Sequence, residues 1–402
     1  MNFNKIAIVG SGILGMMTAH VLSRYCKEVF LFEDQDNSAI KRKKRRVFAV
    51  NLLSEYMFQK HKIWMNLDQS LINPFDRIAV FDTYSSSTID FNSTDISHDR
   101  LGHIIDESNL VSQLNDQIKK NTSINILKKY KIHTISSNNK NAQINEDKKL
   151  TFDLLINTSK NLDCIYSDKL FIRKIQDYNQ TAYCFNIEVL KDFYNIAFQR
   201  FDRDEIYGLL PVNKNNFNLI WSMSNNNFTK IKKLDDLLLK DHISDSLFPL
   251  IGEIKSISDP ISFPLKNIVI NKYAQNKIML LGDAAHVLHP MAGLGMNIGI
   301  QDLFFLEYAI ENLKDINDII RFYSKNGHIS SFKFNQTINI LKSFYSTNVF
   351  PKIIKKLSFK IFNNSKIIKS HTIREATGIN ILEANLGSNY TKTYYQHNNT
   401  KR

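Results

Sequence analysis

Lys5-Ile-Ala-Ile-Val-Gly10-Ser-Gly12-Ile-Leu-Gly15 is a short apolar run that empties into three glycines spaced Gly-x-Gly-x-x-Gly. A continuous apolar pentapeptide suits a strand buried on both faces, as in a parallel sheet. Met16 to Arg24 then carries Met17, His20, Val21 and Arg24 at helical spacing, and Glu28-Val-Phe-Leu-Phe32 reads as a second strand ending at Glu33. The unit is strand, turn, helix, strand. Each glycine has a separate physical reason: Gly10 permits the tight turn, Gly12 lets a pyrophosphate approach the backbone, and Gly15 lets helix and strand pack closely. The phosphates then meet the helix N-terminus. Glu33 stands 18 positions beyond Gly15, near the roughly 20 expected for an acid that accepts hydrogen bonds from an adenosine ribose. The expectation is dinucleotide binding. This motif alone does not separate NAD from FAD.

The remaining composition is that of a folded globular chain. Of 402 residues, 43% are hydrophobic and 23% charged, with 13 Gly and 7 Pro, which excludes collagen-like and wholly disordered classes. A formal charge of +13 favours anionic partners without choosing among them. Cys26, Cys164 and Cys184 have no metal-ligand spacing and cannot form an even disulfide framework. No metal and a cytoplasmic address are the simpler expectations. No apolar run reaches the roughly 18 to 20 residues of a membrane-spanning helix.

A second phosphate-friendly turn lies far along the chain. Lys277-Ile-Met-Leu-Leu281 is another buried-strand run, leading into Gly282-Asp283-Ala-Ala-His286 and then His289-Pro290-Met-Ala-Gly293-Leu-Gly295-Met-Asn297-Ile-Gly299-Ile-Gln-Asp302. A carboxylate at a strand end can accept hydrogen bonds from a polyol, and the glycines and the helix starting near Gly295 offer N–H groups to an anion. Two such turns, one near each end, suit one extended ligand. Here the sequence resembles the class A flavoprotein monooxygenases, and within them the ubiquinone-biosynthesis aromatic hydroxylases that act on polyprenylated phenols. Arg46-Val-Phe-Ala-Val50, Ile63-Trp64, Pro74 to Asp82, Ala197 to Phe201, Gly208-Leu-Leu-Pro211, Trp221-Ser222 and Ser262-Phe-Pro-Leu265 are similar to that family's segments and appear in its order.

The resemblance implies an α/β fold. A Rossmann-like FAD domain with a parallel sheet (1–75, 100–165, 265–345) would carry an inserted, mostly antiparallel substrate sheet (76–99, 166–264). C-terminal amphipathic helices (346–380) and a mobile tail (381–402) would follow. It implies FAD as cofactor, NAD(P)H as electron donor, O2 as co-substrate, and ring hydroxylation through a flavin C4a-hydroperoxide. Gly10, Gly12, Gly15, Glu33, Arg46, Gly282, Asp283, Gly293, Gly295 and Asn297 are the expected cofactor contacts. The flavin carries the difficult chemistry, so no triad or paired carboxylates are required. His286 and His289 straddle the turn and are candidates for moving a proton, against the commoner packed or capping histidine. Pro290 would shape the turn beside the ring. One departure stands out: where the family has an Asp-Gly pair after a mid-chain strand, this chain reads Asp153-Leu-Leu-Ile-Asn157-Thr-Ser159-Lys160. Ser159 and Lys160 can still engage phosphate. The change motivates a rival expectation, a non-catalytic FAD-binding subunit of a ubiquinone-biosynthesis complex.

Two basic stretches complete the reading. Lys41 to Arg46 is expected to be a solvated loop with Arg46 at the cofactor, not a nucleic-acid site, because no interleaved aromatics accompany it. Residues 351–374 hold six lysines and Arg374 without one acid, interspersed with isoleucines and phenylalanines. Either this segment packs on the FAD domain with its lysines in water, or it is a peripheral contact with an anionic membrane.

Overall fold

The computed structural model describes residues 3–33, 46–128, 134–137, 142–145, 149–160, 171–287, 295–345 and 350–387. From the N-terminus, β1 (Phe3–Val9), α1 (Ile13–Leu22) and β2 (Cys26–Phe32) form the expected strand-turn-helix-strand unit. Next come β3 (Val47–Asn51), α2 (Leu52–Lys60), β4 (Ile72–Phe75), β5 (Arg77–Asp82), β6 (Ser87–Asn92), β7 (Gly102–Asp106), α3 (Glu107–Lys120) and β8 (Ile124–Leu127). A small antiparallel excursion, β9 (Thr134–Ser137), β10 (Ala142–Asn145) and β11 (Lys149–Phe152), precedes β12 (Leu154–Asn157). The second sheet is made mainly from β13 (Arg173–Val189), β14 (Ile196–Asp202), β15 (Glu205–Pro211) and β16 (Asn216–Ser224). After α4 (Asn225–Ile231) and α5 (Asp236–Ile251) it takes in β17 (Ile254–Ile257) and β18 (Ile261–Ile270). The chain returns through β19 (Ala274–Gln275), β20 (Ile278–Leu280) and β21 (His286–Val287). It ends in α6 (Gly295–Asn312), α7 (Ile316–Tyr345), α8 (Lys352–Asn364), α9 (Lys366–Thr377) and α10 (Ile379–Leu386).

The first sheet has the order β19-β20-β12-β1-β2-β8. β1 sits inside it, parallel to β2 (Ile8 opposite Leu31) and to β12 (Ile8 opposite Ile156). Ile6, Ala7 and Ile8 are fully buried, which is why the run is apolar without alternation. α1 and α6 share the same large core with this sheet, through Met17, Leu22, Leu303 and Leu306 among others. The second sheet, ordered β21-β18-β13-β16-β15-β14-β5-β6 with β17 on β13, is antiparallel except for the β14–β5 pair. Its strands alternate. Tyr183, Phe185, Ile187, Tyr207, Leu209, Phe217, Leu219, Trp221 and Met223 point to one face, where Leu239, Ile243, Leu247 and Ile251 of α5 cover them. Each such fully buried side chain contributes about 1.5–3 kcal/mol.

The architecture is the expected α/β arrangement of a parallel sheet, an inserted antiparallel sheet and C-terminal helices. β18 remains paired with β13 as far as Ile270, past the expected return at 265, because β13 is itself long enough to partner it throughout. The C-terminal helices reach three surfaces: Leu382 joins the parallel-sheet core, while Ile338, Tyr345 and Phe359 pack with Val80, Ile89 and Phe201 of the second sheet. Ile373 and Ile379 pack with Val47, Phe75 and Ile104 of the small β3-β7-β4 sheet. Helix also extends to Leu386, inside the segment expected to be a mobile tail, because Ile379 and Leu382 are buried. Residues 388–402 lie outside the described residues.

Candidate active site

The N-terminal turn shows why its glycines are there. Gly10 has φ +102°, and a Cβ on it would lie 2.6 Å from Thr158 Oγ1; a Cβ on Gly15 would lie 1.8 Å from the Gly10 carbonyl oxygen. Both positions exclude a side chain for reasons internal to the fold. Gly12 differs: φ is −70° and ψ 179°, a region any residue adopts, and a Cβ there meets nothing within 4 Å. The open space beside it lies at the start of α1, where Gly12 supplies no capping side chain and no acid stands in the first turn. First-turn amides left without a side-chain cap are an anion site. Glu33 follows the end of β2, its N–H donating to Leu127 O at 3.1 Å.

The second turn is built the same way. Gly282 has φ +58° and Asp283 is exposed beside it. A Cβ on Gly295, at the exposed start of α6, would meet nothing within 4 Å. Leu14 joins the two turns: its Cδ2 would be 2.3 Å from a Cβ on Gly282 and 2.9 Å from one on Gly299. The α1 and α6 N-terminal turns therefore meet around one leucine, although 280 residues of chain separate them. Between them lies the Asn157–Ser159 segment. Ser159 N–H donates to Asn157 Oδ1 at 2.9 Å, Asn157 Nδ2 returns a bond to Ser159 O at 2.9 Å, and Thr158 Oγ1 donates to Val9 O at 2.9 Å. Ser159, which stands where the family has the Asp of its Asp-Gly pair, closes this turn, and Thr158 packs it on Gly10.

Two expected site residues direct their side chains at protein partners. Asn297 is buried; its Nδ2 donates to Ala49 O at 2.7 Å, and its Oδ1 accepts from Asn51 N–H at 3.0 Å and Ser54 Oγ at 2.8 Å. It clamps α6 to β3 and α2, a positioning role behind the turn. His286 is buried with Nε2 2.8 Å from Asp302 Oδ2, the same oxygen that accepts the Gly282 N–H at 2.9 Å. Burial pushes its pKa down, but the Asp302 charge and hydrogen bond outweigh this and hold it above the ordinary histidine value. Asp302, which the motif reading left without a role, ties the Gly282–Asp283 turn to α6. Arg46 is half exposed; its carbonyl accepts from Glu107 N–H at 2.8 Å, and its guanidinium lies 3.9 Å from Glu107 Oε2. His289, Pro290 and Gly293 lie outside the described residues.

The second sheet supplies a wall. Opposite the α5-covered face, it presents Ala182, Cys184 and Leu265, with Ile220, Ile261 and Phe263 half-buried beside them. Gly208 on β15 leaves room, since a Cβ there would have only Ile220 O, at 3.8 Å, for company. Burial pushes the Cys184 thiol up to about 12, opposed by the positive charge of Arg46. β18 also pairs with β21, Val269 opposite His286, directly after the Gly282 turn. A cavity of about 880 Å³, lined by Lys272, Lys277, Arg321, Lys325 and His328 among others, lies instead at the β19 edge against α7.

Sequence reasoning missed a buried acid network. Glu55 on α2 accepts from Arg100 Nη2 at 2.7 Å and lies 3.3 Å from His103 Nδ1. Burial raises its pKa, but His103 and Arg100 more than offset this and hold it at about 2. A charge within Leu52-Leu-Ser-Glu55-Tyr-Met-Phe was the available signal.

An open Gly12 approach, an α1 start without a side-chain cap, Glu33 at a strand end and an exposed Asp283 after a positive-φ glycine fit FAD. Comparisons with known proteins agree. Residues 179–313 match a family model described as "FAD binding domain", and residues 258–383 one described as "Squalene epoxidase". The fold is shared with p-nitrophenol 4-monooxygenase from Pseudomonas putida (TM-score 0.73, 13% identity, 94% of this chain and 99% of that one). The chain is an FAD-dependent monooxygenase, similar in sequence and fold to the class A flavoprotein monooxygenases. Within that class its relatives include the ubiquinone biosynthesis monooxygenase COQ6 of Drosophila melanogaster (22% identical, covering 93% of this chain and 89% of the relative). They also include the 3-demethoxyubiquinol 3-hydroxylase of Escherichia coli (19%, 93% and 98%).

Proposed function

We propose that this chain hydroxylates the aromatic ring of a polyprenylated phenol in ubiquinone biosynthesis, with NAD(P)H as reductant and O2 as co-substrate. The observation that carries this reading is the meeting of the Gly12 and Gly282 turns around Leu14, beside an antiparallel sheet face of small and apolar residues. Gly10, Gly12 and the first turn of α1 take the pyrophosphate, Glu33 the adenosine ribose, and Asp283 the ribityl chain. FAD, once bound and reduced, supplies the activation of O2. The protein's own task is orientation and dryness. Ala182, Cys184, Ile220 and Leu265 offer no acid or base, and an apolar wall of this kind holds a phenol ring and keeps water from the reacting face. Cys184 remains a thiol there and packs as an apolar group.

The test is NADH and NADPH oxidation by the purified yellow protein, with and without a short-chain phenol, followed by mass analysis of the product under 18O2. Stimulated oxidation and one 18O incorporated per ring support the proposal. Stoichiometric FAD with no reductant turnover under any condition would overturn it. That result would favour the second reading, a non-catalytic subunit of a ubiquinone-biosynthesis complex, for which Ser159 and Lys160 in place of the Asp-Gly pair are the motivating observation.

A further inference from the structure

α8 is turned opposite to an ordinary surface helix. Its outward face carries Ile353 (81% exposed), Leu357 (57%) and Ile361 (57%) at i, i+4 and i+8, with Ile354 (49%) beside them, and Ile367 (84%) follows at the start of α9. Its inward face carries Phe359, half-buried Phe362 and the fully buried Lys355. Lys355 Nζ donates to Tyr345 O at 3.1 Å and lies 5.1 Å from the Tyr84 ring. The helix is held in this orientation: Phe362 meets Phe91 edge to face at 5.7 Å, and Asn363 Nδ2 donates to Thr88 O at 2.6 Å. Sequence periodicity allowed the isoleucines to face the protein. The structure points them out.

The charges around this face are of one sign. Lys352, Lys356, Lys360 and Lys366 are exposed next to the isoleucines, and no acid occurs from 351 to 374. Exposed isoleucines bordered by lysines are the pattern of a helix lying in a bilayer interface, its apolar side chains among acyl chains and its lysines at anionic headgroups. A second copy of this chain would set one lysine row against another. No helix among the described residues is long and apolar enough to cross a membrane, so the contact is peripheral. We infer that the outward face of α8, with the first turn of α9, docks onto an anionic lipid bilayer. The inference rests on this surface alone and not on the hydroxylase reading.

The experiment is co-sedimentation of the full-length FAD-loaded protein with phosphatidylcholine vesicles, with and without phosphatidylglycerol. Wild type is expected to sediment with the anionic vesicles and to be released as salt rises. Lys352→Gln/Lys356→Gln/Lys360→Gln should lower the partition coefficient by roughly fivefold per lysine, about a hundredfold together. Ile353→Ser/Leu357→Ser/Ile361→Ser should abolish sedimentation. These positions are exposed, so FAD content and melting temperature should stay at wild-type values, and a soluble-phenol assay should be unchanged. Wild type remaining in the supernatant with anionic vesicles would overturn the inference, as would unchanged binding by the serine variant. So would light scattering showing a dimer that the serine variant converts to monomer. Vesicle binding without phenol turnover would sink the function proposal and leave this one standing.

Discussion

The motif gives Gly12 and Gly15 separate tasks, and the structure assigns them opposite failures when alanine is introduced. Gly15→Ala places a methyl 1.8 Å from the Gly10 carbonyl oxygen and 2.9 Å from Thr158 Oγ1. The backbone must separate, so the cofactor-free protein should lose about 1–3 kcal/mol or more, as overpacked cores do. Gly12→Ala meets nothing within 4 Å and takes an unstrained φ. Replacing glycine by alanine at an N-cap costs roughly 0.5–1 kcal/mol, and the reduced freedom of the unfolded chain returns about 0.4–1 kcal/mol. The cofactor-free stability should therefore barely move. Cofactor affinity should fall instead, because the methyl occupies the approach to the α1 amides. One lost charge-assisted hydrogen bond is worth about 1.5–3 kcal/mol, or roughly 10- to 150-fold in Kd. The assay pairs urea unfolding of cofactor-free protein with flavin fluorescence titration. The reasoning is refuted if Gly12→Ala destabilises the cofactor-free chain as much as Gly15→Ala does, or if it binds FAD with wild-type affinity.

Asp302→Asn should cost about 3–5 kcal/mol at mildly acidic pH by breaking a buried pair. Because His286 is held above its ordinary value, the pair's contribution is full below the unfolded-state value of about 6.5 and fades as pH rises through the folded value. Urea midpoints of the two proteins should therefore converge on the alkaline side, and a gap that widens there would contradict the assignment. Glu55→Gln leaves Arg100 without its buried carboxylate and should likewise cost about 3–5 kcal/mol. Since Glu55 is held at about 2, this advantage is present above the unfolded value of about 4.3 and disappears as pH falls toward 2, readable by acid titration of tryptophan fluorescence. Asp283→Ala changes an exposed side chain and should leave cofactor-free stability within about 0.5 kcal/mol while weakening flavin retention; a stoichiometrically yellow variant after gel filtration would show that Asp283 does not hold the cofactor.

What could be read from the chain alone was whatever depends on neighbours in sequence. The Lys5–Gly15 run announces a doubly buried strand and its turn because burial on both faces removes the alternation, and glycine spacing is local. The Gly282–Asp283 turn is legible for the same reason. The partners of Asn297 and His286, namely Ala49, Ser54 and Asp302, were not legible because tertiary packing chooses them; a polar residue in a motif reveals its type but not the direction it faces. Periodicity in 352–364 separated an apolar stripe from a basic one, yet which stripe points inward depends on Tyr345, Tyr84 and Phe91, all distant in sequence. Glu55, Arg100 and His103 form one network that no spacing rule connects.

The seating of Leu14 between Gly282 and Gly299 bears on how this protein is made. A ribosome releases Leu14 almost at once, but the groove that receives it does not exist until translation has passed the two glycines. The early nucleotide-binding unit must wait, incomplete, while the entire antiparallel sheet is synthesised. Flavin loading is thus a late step in biogenesis, and a polypeptide truncated ahead of Gly282 would emerge colourless.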